Sequence, residues 1–268
     1  MEDRITVTMR DAVADVRLVR ADKMNALDDA MFTALIETGE RLKTDKSVRA
    51  VVISGEGRAF CAGLDMGNFA KMASGERKGG AGALVTENRT PGGANRAQQA
   101  VYVWREIPVP VIAAVHGVAF GGGFQLTLGA DIRFVAPDAK LAILEIKWGL
   151  IPDMAGMVLL RGLVRDDVAR ELTYTGRIFT GEEALSLGIA TRVCADPYAE
   201  ALKLAEEIAD KSPDAIRAGK RLFAVMRDGD PKQILLEESR EQIALIGSPN
   251  QIEAVMAGMQ KRAAVFKD

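Results

Sequence analysis

Residues 111–124 read VIAAVHGVAFGGGF, and this stretch constrains the chain more than any other. An apolar run rich in β-branched residues, Val111 to Val115, meets His116. Four glycines follow within seven residues, Gly117, Gly121, Gly122 and Gly123, before apolar Phe124. The pattern predicts a buried strand, a sharp turn and the start of a buried helix. Consecutive glycines lose much backbone entropy on ordering, so they imply positive φ angles or an approach too close for a side chain. Amides at the start of the following helix have no intrahelical partner and bind anionic oxygen. Nucleotide-loop readings fail on single residues: G-x-G-x-x-G needs glycine where Leu126 stands, and a Walker loop needs Lys-Ser/Thr where Gly123-Phe124 stand. The competing structural reading is a tight turn with close helix–strand packing.

A second small-residue segment, Gly57 to Met66, follows another apolar run, Val48 to Ser54. It offers outward-facing amides, and Asp65 is placed to cap a following helix. Together the two segments supply two N–H donors for one oxygen, the requirement of an oxyanion hole. A third segment, Leu141 to Asp153, puts Glu145 among apolar neighbours, where burial disfavours its charge and suits it to proton transfer. The alternatives are a surface Glu145 paired with Lys147 or Arg133, and Asp153 as a helix N-cap.

The remaining chain reads as an α/β domain. Strands are expected at Ile5–Met9, Ala12–Val19, Val109–Val115 and Asp131–Val135, and an amphipathic helix opening at Asp28 runs to about Lys43. Gly67 to Ala97 is glycine-rich and irregular, the mark of a lid or mobile segment, with Phe69 and Met72 at its start. From about residue 197 only helices are expected, each opening near a proline: Tyr198–Lys211, Pro213–Arg227, Pro231–Ile246 and Pro249–Phe266. The expected division is a core over 1–196 and a helical region over 197–268 that serves assembly or covers the site.

Composition narrows the function. A net charge of -2 over 268 residues gives no basic comb for nucleic acid. One histidine and two cysteines exclude a disulfide framework and leave no zinc cluster or Ser-His-Asp triad. With no signal-peptide plan at Met1-Glu2-Asp3-Arg4 and no run long enough to span a bilayer, a cytoplasmic protein without membrane attachment is expected. His116 reads as a packed, hydrogen-bonded residue and Cys61 as a small buried filler; Trp148 and Met154 are candidates for a ligand pocket or for the core.

These motifs, in this order, resemble the crotonase (enoyl-CoA hydratase/isomerase) family over nearly the whole chain. The shared segments are Asn25-Ala26-Leu27, Ala62-Gly63-Leu64-Asp65, and Val115-His116-Gly117 with the glycine triplet. Asp131-Ile132, Gly149-Leu150-Ile151-Pro152, Thr175-Gly176-Arg177 and Ala184-Leu185-Ser186-Leu187-Gly188 follow. The resemblance implies a spiral of ββα units with a C-terminal helical region, assembled as a trimer or dimer of trimers. It implies an acyl-CoA substrate with no cofactor beyond that coenzyme A, and no metal. It implies oxyanion-hole amides at Leu64 and Gly122, and a substrate and coenzyme A cradle at Lys23, Met24, Ala26, Ala62, Asp65 and Gly121.

One position departs from the pattern. Hydratases of the family carry two glutamates; the second matches Glu145, but the first is Gln125 here. A carboxamide can orient a water but cannot take its proton. Moving a double bond needs one carboxylate, so the expected reaction is isomerisation of an enoyl- or dienoyl-CoA. Glu145 is its expected acid/base and Asp153 a second, as in the dienoyl isomerases the chain resembles there. A hydratase of fatty-acid degradation and a non-catalytic acyl-CoA binder are the alternatives.

Overall fold

The computed structural model describes residues 4–68, 85 and 89–268. Most of the expected lid, including Phe69 and Met72, lies outside these. At the expected end of the irregular stretch a helix begins. Asn95 accepts from Gln98 N while the Gln98 side chain reaches back to Asn95 N, and this capping box starts a helix at Arg96.

Strands β1 (Ile5–Arg10) and β2 (Val13–Leu18) form an antiparallel hairpin, turned by Asp11 in the left-handed region at φ 51°. β3 (Ala50–Gly55), β4 (Val111–Val115), β6 (Ile132–Val135) and β9 (Arg192–Val193) extend it in parallel, in the order β1-β2-β3-β4-β6-β9. A second sheet holds β5 (Val118–Phe120), β7 (Lys140–Ala142) and β8 (Phe179–Thr180). Successive strands therefore alternate between sheets: β4 to β5, then β6 to β7. That alternation, with helices between, is the crotonase spiral. β5, β7 and β8 have three residues or fewer, too short for a periodicity to show.

Helix α1 (Asp29–Thr44) is capped by Asp28, which accepts from Met31 N, and buries Met31, Phe32, Leu35 and Leu42. It packs on α2 (Arg96–Glu106), with Gly39 against Val103. α3 (Gly122–Gly129) has every residue buried, including the polar side chains of Gln125 and Thr127, and carries no charge. Short helices α4 (Gly156–Leu160), α5 (Asp166–Thr175) and α6 (Gly181–Ser186) follow.

Four helices with proline in the first turn complete the chain: α7 (Pro197–Ala209), α8 (Pro213–Asp228), α9 (Pro231–Leu245) and α10 (Pro249–Gln260). The first helix after the expected boundary at 197 packs on the sheet. Ala201, Ala205 and Ala209 of α7 recur at helical spacing and pack with Val13, Ala50, Val52, Ile112, Ala114 and Phe134. Their small size brings α7 down onto the sheet, where it covers this second cluster of buried residues. The last helix also ends earlier than expected, because Lys261 turns left-handed at φ 50°. The tail beyond is pinned by Asn250, which bonds both the N–H and the carbonyl of Lys267, and by the Arg49–Asp268 ion pair.

Candidate active site

The two glycine-rich segments are laced together by backbone hydrogen bonds. Phe60 N donates to His116 O, Cys61 N to Val118 O, and Phe120 N to Cys61 O. On its other edge the first segment meets the turn after β2: Ala62 N donates to Met24 O, Leu27 N to Gly63 O, and Asp65 N to Leu27 O. Residues 59–65 thus run as a strand between two walls.

Gly63 then turns one amide around. Ala62 N faces Met24 and the Gly63 carbonyl faces Leu27, so across the trans peptide Leu64 N–H points the opposite way, toward β5. This reversal needs the Gly63 φ of +89°, and a β carbon there would lie 2.5 Å from Phe120 O. The same position lies 3.7 Å from Gly122 N. Gly122 opens α3, and Gly121 O accepts from Gln125 N, so Gly122 N–H points out of the positive end of the helix. Neither Leu64 N nor Gly122 N has a hydrogen-bond partner among the described residues.

The glycine triplet divides its work. Gly121 has φ +51°, and a β carbon on it would stand 3.4 Å from Glu145 Oε1. Gly122 lies against Leu27 and Met154, and Gly123 has no room because a β carbon would strike the Cys61 carbonyl. Both expected uses of glycine, positive φ and close approach, therefore occur.

Glu145 opens a 3₁₀ turn, Glu145–Trp148, and its carboxylate faces Gly121. Oε1 accepts from Gln125 Nε2 at 2.6 Å. Oε2 is buried with no hydrogen-bond partner among the described residues. Burial pushes this carboxyl above the ordinary glutamate value; the Asp153 charge adds to the rise and the Gln125 hydrogen bond opposes it. The surface-pair reading of Glu145 does not hold. Arg133 bonds the carbonyls of Ile189 and Ala130, and Lys147 lies over the Trp148 ring.

Asp153 is exposed and close enough to repel Glu145. It does not cap a helix: the N-cap of α4 is Ala155, left-handed at φ 67° with no side-chain cap. Trp148 is exposed, among Ile146, Leu150 and Ile151, whereas Met154 is buried beside Gly122.

The expected coenzyme A cradle is a strained turn. Met24 and Asn25 are both left-handed, at φ 50° and 56°. Asn25 holds it by donating to Glu56 O and Ala59 O. Lys23 is exposed at its rim, and Ala26 is buried beneath. Asp65 is fully engaged, accepting from Gly67 N and paired with Arg20 at 2.6 Å, which holds its carboxyl below the ordinary range. Arg20 also reaches Ala26 O and Asp28, so Asp65 braces the turn. This ion-paired scaffold was not apparent from sequence, though Arg20 lies five residues before Asn25.

The structural readings of two residues agree with the geometry. His116 Nε2 hydrogen-bonds Gly57 O at 2.9 Å. Cys61 is buried, its thiol pushed up to about 12 by burial, with Sγ against Asn25 O. Among the described residues no cluster of three or more His, Cys, Asp or Glu could hold a metal, and no helix is long and apolar enough to cross a membrane.

Known proteins resemble this chain over nearly all of its length. The family model for enoyl-CoA hydratase/isomerase matches residues 8–268. The mouse mitochondrial Delta(3,5)-Delta(2,4)-dienoyl-CoA isomerase is 31% identical over 254 residues, 93% of this chain and 77% of that one. The mouse mitochondrial methylglutaconyl-CoA hydratase is also 31% identical, over 255 residues, 92% of this chain and 77% of that one. The crystal structure of an enoyl-CoA hydratase from Bacillus anthracis superposes with a TM-score of 0.89 at 28% identity, covering 99% of each chain. Strand alternation, laced glycine turns and sequence agree: this chain belongs to the enoyl-CoA hydratase/isomerase family.

Proposed function

We propose that this enzyme shifts the double bond of an enoyl- or dienoyl-CoA, with Glu145 carrying the proton. The carrying observation is the asymmetry at the site. Glu145 is a partly buried carboxylate with one free oxygen, and the side chain bonded to it is the carboxamide of Gln125. The thioester oxygen is held by Leu64 N and Gly122 N, where negative charge develops as the α proton leaves. Each such donor contributes roughly 2.7–4 kcal/mol to an enolate-forming step. Glu145 Oε2 takes the proton from the α carbon, the electron pair delocalises onto the thioester oxygen, and the same proton returns to the γ carbon of a 3-enoyl chain or the ε carbon of a 3,5-dienoyl chain. Coenzyme A is part of the substrate; Lys23, Met24, Ala26 and Ala62 form its cradle.

Hydration is the second reading, favoured by the equal identity to a hydratase. Product analysis with 2-enoyl, 3-enoyl and dienoyl thioesters separates the two. The 3-enoyl or dienoyl substrate is expected to isomerise, and Glu145→Gln to lower that rate by about 10²–10⁴-fold. Rapid hydration of the 2-enoyl substrate that survives Glu145→Gln would overturn the mechanism. Acyl-CoA binding without turnover of any thioester would leave a non-catalytic binder.

A further inference from the structure

The Gln125 side chain is 1% exposed and committed at both ends. Its Oε1 accepts from Met154 N at 2.9 Å and Gly156 N at 3.0 Å; its Nε2 donates to Glu145 Oε1 at 2.6 Å. Two backbone N–H groups can only be met by the carboxamide oxygen, so the amide nitrogen has to face Glu145. The loop it grips is itself strained. Ala155, between the two donors, is left-handed at φ 67°, and a β carbon on Gly156 would lie 2.6 Å from Gln125 Oε1. Such a conformation persists only when its surroundings hold it. Both acceptor directions of Gln125 Oε1 are taken, so it has no acceptor left for the proton of a water; only its second N–H remains.

We infer that Gln125 is a positioning residue that selects which oxygen of Glu145 exchanges the proton. Its carboxamide occupies Oε1, leaves Oε2 as the exchanging atom, and ties the 154–156 loop to the glycine turn. This rests on the reading of Glu145 as proton carrier.

Two variants test it. Gln125→Met keeps the bulk and removes both functions. Gln125→Glu keeps an oxygen for Met154 N and Gly156 N, but reproduces the bond to Glu145 only when the pair of carboxyls shares one proton. The readout is exchange of the α hydrogen of butyryl-CoA in D₂O across pH, which needs neither isomerisation nor hydration. The α C–H bond breaks, its electron pair moves to the thioester oxygen, Oε2 takes the proton, and a deuteron returns by the reverse path.

Gln125→Met is expected to lower kcat by about 10–100-fold with little change in KM. It should also move the acid limb to higher pH, because a bond favouring the charged carboxylate is gone. Gln125→Glu should add an alkaline limb, as the shared proton is lost, that the unsubstituted enzyme lacks. A Gln125→Met enzyme matching the unsubstituted rate and limb overturns the inference. If that variant does not fold, absence of the alkaline limb in Gln125→Glu overturns it. Exchange that survives Glu145→Gln defeats the proposed function instead, so the two failures are distinct.

Discussion

Asp153 lies close enough to Glu145 for its charge to act on that carboxyl. Burial and the Asp153 charge both raise the Glu145 carboxyl above its ordinary value. A base works when deprotonated, so activity should climb as pH rises through that elevated value. Asp153→Asn removes the repulsion and favours the charged form, so the acid limb of kcat/KM should move to lower pH. The shift is expected to be small, since the residue is exposed and water screens its charge. A limb that stays put would show that burial alone sets it. Glu145 and Gln125 were visible in the sequence as residue types at matching positions. The grip of Gln125 was not, because its acceptor is used by backbone amides 29 and 31 residues away, and a main-chain donor leaves no mark in sequence. Asp153 misled as a cap for a related reason: the helix start passes through a left-handed alanine that no propensity favours.

The segment 59–65 is the element on which the site turns. Its alternation of bonded edges is broken once, at Gly63, and that break presents Leu64 N–H. Gly63→Ala must place a β carbon 2.5 Å from Phe120 O while holding φ +89°. The expected cost is about 1–3 kcal/mol in unfolding free energy. A fall in kcat larger than that loss of stability explains is expected under conditions where the protein stays folded. Denaturant midpoints and initial rates measure the two separately. Turns of this kind were legible because each glycine excludes every other residue type. The strands beside them were not: β5 and β7 have three residues each, and their pairing with residues 59–65 and β8 is decided by contacts distant in sequence.

At the scale of the molecule, the large sheet is covered on both faces. One face carries α1, α2 and α3 with the main core, and the other carries α7 with its alanines. Beyond α7 the pattern changes. α9 buries no residue and displays Leu235 at 63% and Ile243 at 74% exposure, while α8 and α10 expose Phe223, Met226, Ile252 and Met259. So much apolar surface on helices exceeds what scattered surface residues explain, and it fits self-association through the C-terminal helices. A solution mass of three or six chains is expected by light scattering. Replacing Leu235 and Ile243 with glutamate should shift it to one chain; an unchanged mass would place the interface elsewhere. Helical stripes after residue 197 foretold the elements, but small residues on α7 gave no hint that this helix packs on the sheet.

The free oxygen of Glu145 has a stereochemical consequence. A proton held on one atom, on one side of a planar dienolate, is returned to the side from which it came. Deuterium placed at the α carbon of a 3-enoyl thioester should therefore reappear in part at the γ carbon of the product, on the same face. The retained fraction reports how seldom that atom trades its isotope with water between departure and return.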